Sequence, residues 1–324
     1  MYIPLGTATL KTGQEMEIGV VRGPDQEYAD RIREFLGHKP ESFKRHIALS
    51  LAGPLEELET RFYVGRLGSH LITQVMTVEY AGVGLLGHVF TRPEHRRKGA
   101  CRAVMARQME DFRRRGGQFL LLGTGFESPP YWIYMSFGFR SVTDGSGLMR
   151  YAASEDFEAR WFAPAPARLV PVKWRHWPTL SALFAQGEGP YLRNVALGIL
   201  GQRNFEGGFL DLREALQAPN PLHQAQLLES ETGAVVGCAT IWPDPQWPGT
   251  YLLDVFVHPN FESRLPDLLS ALGPVDAKVL AYAEASAAAK HAALEGAGFR
   301  REGKLTRQLR LPDGRAEDVW LWGR

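Results

Sequence analysis

The sequence predicts an α/β fold built twice in one chain. Three observations carry that expectation. Apolar positions alternate between period two and period 3.6 along the chain, the signature of strands interleaved with amphipathic helices. In the first half, three strand-like runs are separated by glycine-containing breaks, as in an antiparallel meander. Short landmarks of that half then return in the second: "HVFTRP" (88–93) matches "DVFVHP" (254–259), and "FGFRSV" (137–142) matches "AGFRRE" (297–302). A chain of 324 residues is long enough for two domains of ordinary size.

Taken in order, "MEIGVVRGPD" reads as a strand ending in a Gly-Pro turn. "QEYADRIREFL" and "ESFKRHIALSL" read as amphipathic helices. "RFYVGRLG", "HLITQVMTVEYAG" and "GVGLLGHVFT" supply the meander. "GACRAVMARQMEDFRRR" is a helix with one apolar stripe formed by Cys101, Val104, Met105, Met109 and Phe112. Arg113–Arg115 suit its negative C-terminal end, and Gly116-Gly117 stop it. "QFLLLGT" is a buried strand. "SPPYWIYMSFG" is a short helix with Ser128 at the N-cap and Pro129 as its first residue. "FRSVTD" and "GLMRYAA" close the unit as strands. The alternating Pro and Ala of "SEDFEARWFAPAPAR" then mark a linker. The expected divisions are residues 1–153, a linker at 154–167, and residues 168–324. Between its two landmarks each half runs helix, strand, helix, so the second is expected to repeat the first.

Composition excludes several classes. The chain is 44% hydrophobic and 23% charged, as a globular protein with ample core is. Its net charge of +1 gives no global attraction to nucleic acid or to a membrane surface. Cys101 and Cys238 are the only cysteines, so neither a disulfide framework nor a zinc cluster is expected, and no metal is. No apolar run approaches membrane-spanning length, and the N-terminus lacks the pattern of a secretory signal. The expectation is a cytoplasmic protein, a monomer or homodimer, without nucleic-acid or membrane partners.

Against that neutral background, residues 92–115 hold nine Lys/Arg and three Asp/Glu. Arg96, Arg97 and Lys98 crowd the start of a helix, where partial positive charge already makes further cations unfavourable. The arrangement makes sense if an anion sits there. Free N–H groups at a helix start bind phosphate, and Gly99 lets the backbone approach it closely. Arg97, Lys98 and Arg102 would add charge-assisted contacts. A solvated basic helix face accounts for the charge count equally well. A nucleotide-binding reading of "GTGFESPP" fails, because it lacks a third glycine and a Lys-Ser/Thr pair.

The stretch "RPEHRRKGACRAVM" resembles the acetyl-CoA loop of the GNAT superfamily of N-acetyltransferases, P-x-x-R-x-x-G-x-G/A: Pro93, Arg96 and Gly99 match, and Cys101 replaces the last small residue. A second signature of that family, a tyrosine four residues before Gly-Phe, is present as Tyr134 before Gly138-Phe139. The resemblance implies two tandem GNAT-like domains, each a mixed, mostly antiparallel twisted sheet flanked by helices. It implies acetyl-CoA as acyl donor, with the pyrophosphate held by backbone and side chains of Arg96, Arg97, Lys98, Gly99, Ala100, Cys101 and Arg102. The pantetheine arm is expected along Val89, Phe90 and Thr91, and Glu127 stands where relatives often carry a residue near the coenzyme. Tyr134 is the implied general acid. The implied reaction is direct attack, within a ternary complex, by a primary amine of a small molecule.

The base is not given by the motif. Relatives often place one four or six residues before the position of Thr91, and those positions are Gly87 and Leu85. His88, Glu79 and Glu127 are the candidates. Strand alternation turns His88 away from the expected face, and a bulge would return it; a water chain is the other route. In the second half the loop signature is missing, and the position matching Tyr134 is Leu294. That half is expected to be a degenerate copy. The alternative for the whole chain is a non-catalytic acyl-CoA-binding or regulatory module.

Overall fold

The computed structural model describes residues 1–218 and 222–324. The chain divides into two compact units, Met1–Phe157 with Trp174–Thr179 and Glu158–Lys173 with Leu180–Arg324. Both are α/β, each with a mostly antiparallel sheet flanked by helices.

The first unit runs β1 (Tyr2–Thr9), β2 (Glu15–Arg22), α1 (Gln26–Phe35), α2 (Glu41–Ala52), β3 (Glu59–Leu67), β4 (His70–Tyr80), β5 (Val83–Thr91), α3 (Ala100–Arg114), β6 (Phe119–Gly123), α4 (Pro129–Met135), β7 (Arg140–Ser141) and β8 (Leu148–Ala152). Its strands are ordered β1-β2-β3-β4-β5-β6-β8-β7. The strand β1 was not foreseen; its residues are mostly exposed or half-buried, so the apolar alternation that marks a strand is weak. Under α3 lies a core of Met16, Ile18, Tyr63, Val75, Val104, Met105 and their neighbours. The stripe predicted for α3 is the face it buries, with Cys101 half-exposed at its start. Gly116 (φ 78°) ends that helix in the left-handed region.

The second unit holds β9 (Ala167–Pro171), β10 (Leu192–Asn194), β11 (Ile199–Leu200), α7 (Glu206–Gln217), β12 (Gln224–Ser230), β13 (Val235–Pro243), β14 (Thr250–Val257), α8 (Leu265–Ser270), β15 (Lys278–Glu284), α9 (Ala288–Gly296), β16 (Arg300–Arg310) and β17 (Ala316–Gly323). Two helices, α5 (Phe157–Trp161) and α6 (His176–Ala185), cross the divisions in the chain. The stretch expected to be a linker therefore contains α5 and ends in the first residue of β9. Phe157 explains the order there: its ring stacks on Phe119 at 4.9 Å, so the chain is still part of the first unit's core.

The sheet order β9-β12-β13-β14-β15-β17-β16 repeats that of β2 to β7 in the first unit. The Gly-Phe landmarks repeat in detail. Phe139 N–H donates to the Tyr134 carbonyl, and Phe299 N–H to that of Leu294, each next to a glycine with positive φ (93° and 83°). The spacing shared by the two pairs is that of a helix closed by a left-handed glycine. Among the described residues no helix is long and apolar enough to cross a membrane.

The C-terminal end of α3 is tied to the sheet by buried charge. Arg115 donates to both oxygens of Glu79 (2.6 and 3.0 Å) and to Asp111 (2.9 Å), which also accepts from the Tyr63 hydroxyl (2.8 Å). Burial pushes the Asp111 carboxyl up, but hydrogen bonds from Arg114, Tyr63 and Arg115 outweigh it and hold the group below the usual carboxylate range. Replacing Arg115 by Met leaves two buried carboxylates facing each other's charge without their shared partner, which costs about 3–5 kcal/mol. Denaturant unfolding at pH 7 is expected to show that loss. Because the folded pKa of Asp111 is depressed, its contribution is complete above its unfolded value and disappears as pH falls through the folded one. The difference between wild type and Arg115→Met should therefore shrink in acid.

Candidate functional site

In the first sheet β5 and β6 are parallel neighbours, whereas the other strand pairs are antiparallel. They are paired only from Val83–Phe119 to Leu85–Leu121. Beyond Leu85, β5 continues to Thr91 with β4 as its sole partner among the described strands, and β6 leans towards β8. The end of pairing leaves a gap in the ladder and frees one edge of β5.

A cleft of about 520 Å³ lies at that edge. Its walls are the end of β5 (Val89, Phe90, Thr91), the turn and loop before α3, the first residues of α3, and α4 through Pro129, Pro130, Ile133 and Tyr134. A 3-10 turn at Pro93–His95 swings the chain out of β5. Arg97 (φ 60°) and Gly99 (φ 92°) then bring it into α3 through the left-handed region. Ala103 N–H donates to the Gly99 carbonyl, so the N–H groups of Ala100, Cys101 and Arg102 precede the first helical hydrogen bond. A Cβ built on Gly99 meets no described atom within 4 Å, which leaves the glycine facing open space. Free donors and the positive end of the helix dipole meet there, an arrangement that suits an anion.

The residues singled out from the sequence separate into those at the cleft and those elsewhere. Val89, Phe90, Thr91, Arg96, Arg97, Gly99, Ala100, Cys101, Arg102 and Tyr134 all line it. Lys98 does not; it is half-buried, and its carbonyl accepts from Lys11 N–H. Glu127 does not line it either. Its side chain is exposed, and its carbonyl accepts from the Trp132 indole. His95, Pro129, Pro130 and Ile133 line the cleft without having been expected there. Their only sequence signal was adjacency to the two motifs. Burial pushes the Cys101 thiol up to about 11, so it stands in the cleft as a neutral small side chain.

Glu79 is placed far from the cleft. It pairs in register with Gly84 near the β4–β5 turn, at the opposite end of β5 from Thr91. Both its oxygens are engaged by Arg115, and the Thr77 hydroxyl adds a third hydrogen bond at 2.6 Å. A carboxylate so held anchors α3 and does not meet a substrate amine.

His88 does lie near the gap. Between the pairs Gln74–Phe90 and Met76–Gly87, one residue of β4 faces two of β5, His88 and Val89. That is the bulge which sequence alternation required, with His88 (φ 50°) in its left-handed position. Leu86 and Val89 belong to the core under α3, whereas the His88 ring packs edge-on against Phe43 of α2 at 4.7 Å. The bulge thus gives His88 to the opposite face. Its Nε2 is buried and has no hydrogen-bond partner among the described residues. Burial, with the charges of Lys39 and His38, lowers its pKa to about 3, so at neutral pH the ring is uncharged. Among the described residues no three His, Cys, Asp or Glu side chains group as a metal site.

Residues 68–142 match the family model described as an acetyltransferase (GNAT) domain. Among solved structures, the chain is similar to YncA, a putative acetyltransferase from Salmonella typhimurium with its cofactor acetyl-CoA (19% identity, 49% of this chain and 92% of that one, TM-score 0.39). It is similar also to a ribosomal-protein-alanine N-acetyltransferase from Brucella melitensis (20% identity, 48% and 98%, TM-score 0.39). A third is a GNAT superfamily phosphinothricin acetyltransferase from Sinorhizobium meliloti in complex with acetyl-CoA (16% identity, 49% and 87%, TM-score 0.38). No curated protein matches the chain.

The depressed histidines have a consequence for stability. His46, fully buried, is lowered to about 3 by burial and by His88. A histidine whose folded pKa lies below its unfolded value of roughly 6.5 costs stability as pH falls through that interval, by about 1.4 kcal/mol per pH unit. Unfolding free energy is expected to drop between pH 7 and pH 5. His88→Asn, which suits the left-handed backbone, should flatten that dependence in a denaturant series.

Proposed function

The chain carries a GNAT acetyltransferase domain, residues 68–142, and from that premise we propose that it transfers an acetyl group from acetyl-CoA to a primary amine of a small molecule. The observation that carries this reading is the cleft itself. One continuous wall joins a free strand edge, a helix N-terminus entered through a glycine, and a tyrosine. These residues fit the donor. The N–H groups of Ala100, Cys101 and Arg102, with the Arg97 and Arg102 side chains, hold the pyrophosphate. The edge of β5 at Val89–Thr91, free of β6, bonds the pantetheine amides. Acetyl-CoA supplies a thioester carbonyl open to attack and a thiolate as leaving group.

Each remaining task belongs to the protein. Backbone N–H at the freed edge of β5 stabilises charge on the carbonyl oxygen. The Tyr134 hydroxyl gives a proton to the departing sulfur. The proton released as the C–N bond forms leaves through His88 or a water chain; burial makes the uncharged His88 ring a weak base, so it would pass the proton on rather than hold it. His88 lies on β5 beyond its last pair with β6, next to Val89 of the cleft wall.

In this proposal the second unit, expected from the sequence at residues 168–324 and compact over Glu158–Lys173 with Leu180–Arg324, is a GNAT-like copy that binds no coenzyme. Its β14 and β15 also diverge after Leu253–Ala281, but β10 lies against both. Asp254 of β14 accepts from Val195 and Ala196 N–H (2.8 and 3.0 Å), and Glu284 of β15 accepts from Tyr191 and Leu192 N–H (2.9 and 2.7 Å). Where the first unit leaves a gap, backbone amides of the same chain are held by carboxylates. Leu294 replaces the tyrosine and is fully buried.

Two experiments test this. Titration calorimetry should find one acetyl-CoA per chain. Gly99→Glu should remove that binding while the variant stays folded, since the site has room for a side chain; retained affinity in a folded variant, or two equal sites per chain, would sink the assignment. Gly99 is also left-handed, so the variant is expected to lose about 1–2 kcal/mol of stability.

Tyr134→Phe removes a hydroxyl only. Turnover is expected to fall by roughly 10²-fold, the low end of general-acid assistance because thiolates leave readily, with acetyl-CoA affinity unchanged. Wild-type turnover on a substrate limited by the chemical step would show the tyrosine to be a packing residue. Tyr131→Phe is the control. Its hydroxyl bonds Ser141 at 2.9 Å, so that variant should lose stability and keep turnover.

A further inference from the structure

The cations of "RPEHRRK" do not all serve one site. Arg97 and Arg102 line the cleft, and the Arg102 guanidinium lies over Phe137 on the α4 side. The Arg92 guanidinium turns the other way, and that of Arg96, a residue that also borders the cleft, is drawn over Phe90. The Arg92 guanidinium lies 5.3 Å from the centre of the Phe35 ring, and that of Arg96 5.9 Å from Phe90. Phe35 and Phe90 pack edge to face at 5.2 Å, and His38 lies 4.3 Å from Phe90. The two guanidiniums therefore stand over one aromatic pair, on the α1–α2 face of the sheet. In each, Nε is tied to a backbone carbonyl, Leu71 for Arg92 (2.9 Å) and Thr91 for Arg96 (3.1 Å). Neither has an ion-pair partner among the described residues.

Nearby carboxylates do not neutralise this face. Asp30 and Glu41 are exposed and paired with Arg33 and Lys44 of their own helices. Glu34 and Glu94 are exposed. Lys39 adds positive charge close enough to act on both His38 and His88.

The same face holds two unsatisfied polar groups. Gln74 sits directly opposite Phe90 in register and so shares its face. It is fully buried, and neither its amide nitrogen nor its oxygen has a hydrogen-bond partner among the described residues. His88 Nε2 is in the same condition. Buried polar atoms left without partners are costly and uncommon, and a ligand that satisfied them would remove the cost.

We propose that the amine acceptor is of amino-acid type, with a carboxylate within a few bonds of the reacting nitrogen: Arg92 and Arg96 receive the carboxylate, and the Gln74 amide and His88 Nε2 receive the amine end. This rests on the acetyl-transfer reading above. A polyamine or other polycation would meet the positive charge of Arg92, Arg96 and Lys39 on this face. A neutral amine would leave the guanidiniums without a partner.

The test is release of coenzyme A from acetyl-CoA by the full chain, with three sets of acceptors: the protein amino acids and β-alanine, their carboxamides, and spermidine. The expected result is at least one free acid whose kcat/KM exceeds that of its own carboxamide and of spermidine by tenfold or more. Arg92→Gln should raise the KM for that acid about tenfold with acetyl-CoA affinity unchanged, and Arg92→Lys should recover part of the loss. Carboxamides or spermidine used as well as the acids would overturn the proposal. So would a chain that binds acetyl-CoA but releases no coenzyme with any of these acids, which would leave acetyl transfer to another amine standing. A chain that binds no acetyl-CoA would overturn the reading on which both rest.

Discussion

The site depends on two parallel strands that stop pairing. In a sheet whose other neighbours are antiparallel, β5 and β6 share three register pairs and then separate. Strand edges are rows of unpaired donors and acceptors, and a protein must either cover them or use them. Here the free edge of β5 forms one wall of the cleft, and the turn after it delivers the chain into the N-terminus of α3. The two sources of backbone N–H, one from a sheet and one from a helix, are thereby brought side by side. Val89–Thr91 and Ala100–Arg102 are close in sequence because one turn joins the element that loses its partner to the element that begins.

The second unit shows what the same topology does when that edge is covered. Its strand order is unchanged, and its parallel pair diverges at the corresponding place. The segment carrying β10 lies there, with four of its backbone N–H groups accepted by Asp254 and Glu284. Lys290, also buried, adds positive charge that acts on both carboxylates. Burial raises the pKa of the Asp254 carboxyl, and Lys290 with the Val195 and Ala196 N–H groups opposes that rise. An equivalent divergence thus leaves an open cleft in one unit and an edge covered by the chain itself in the other.

Charge in the first unit is likewise divided by position along α3. At its C-terminal end, Arg115, Glu79, Asp111 and Tyr63 satisfy one another and fix the helix to β3 and β4. At its N-terminal end the cations have no such internal partners. Arg96, Arg97 and Arg102 border the cleft, while the Arg92 guanidinium lies over Phe35 and that of Arg96 over Phe90. A cluster that reads as one patch in the sequence therefore serves two faces of a sheet.

The sequence by itself determined the order of helices and strands from β2 to β8, the loop from Pro93 to Cys101 and the position of Tyr134. Each of these is a local matter. Periodicity reports the face an element buries, glycine reports a left-handed backbone, and the tyrosine-to-Gly-Phe spacing reports how a short helix closes. Only the tertiary structure decided the rest. Glu79 looked like an available carboxylate until Arg115, distant in sequence, was found to occupy both its oxygens. His88 was out of phase until a bulge, set by the pairing of β4 with β5, turned it to the α2 face. β1 was hidden because an edge strand with little to bury carries little apolar alternation. The direction of each arginine is decided by which aromatic ring lies within its reach, and that is known only once helices far apart in the chain have packed on the sheet.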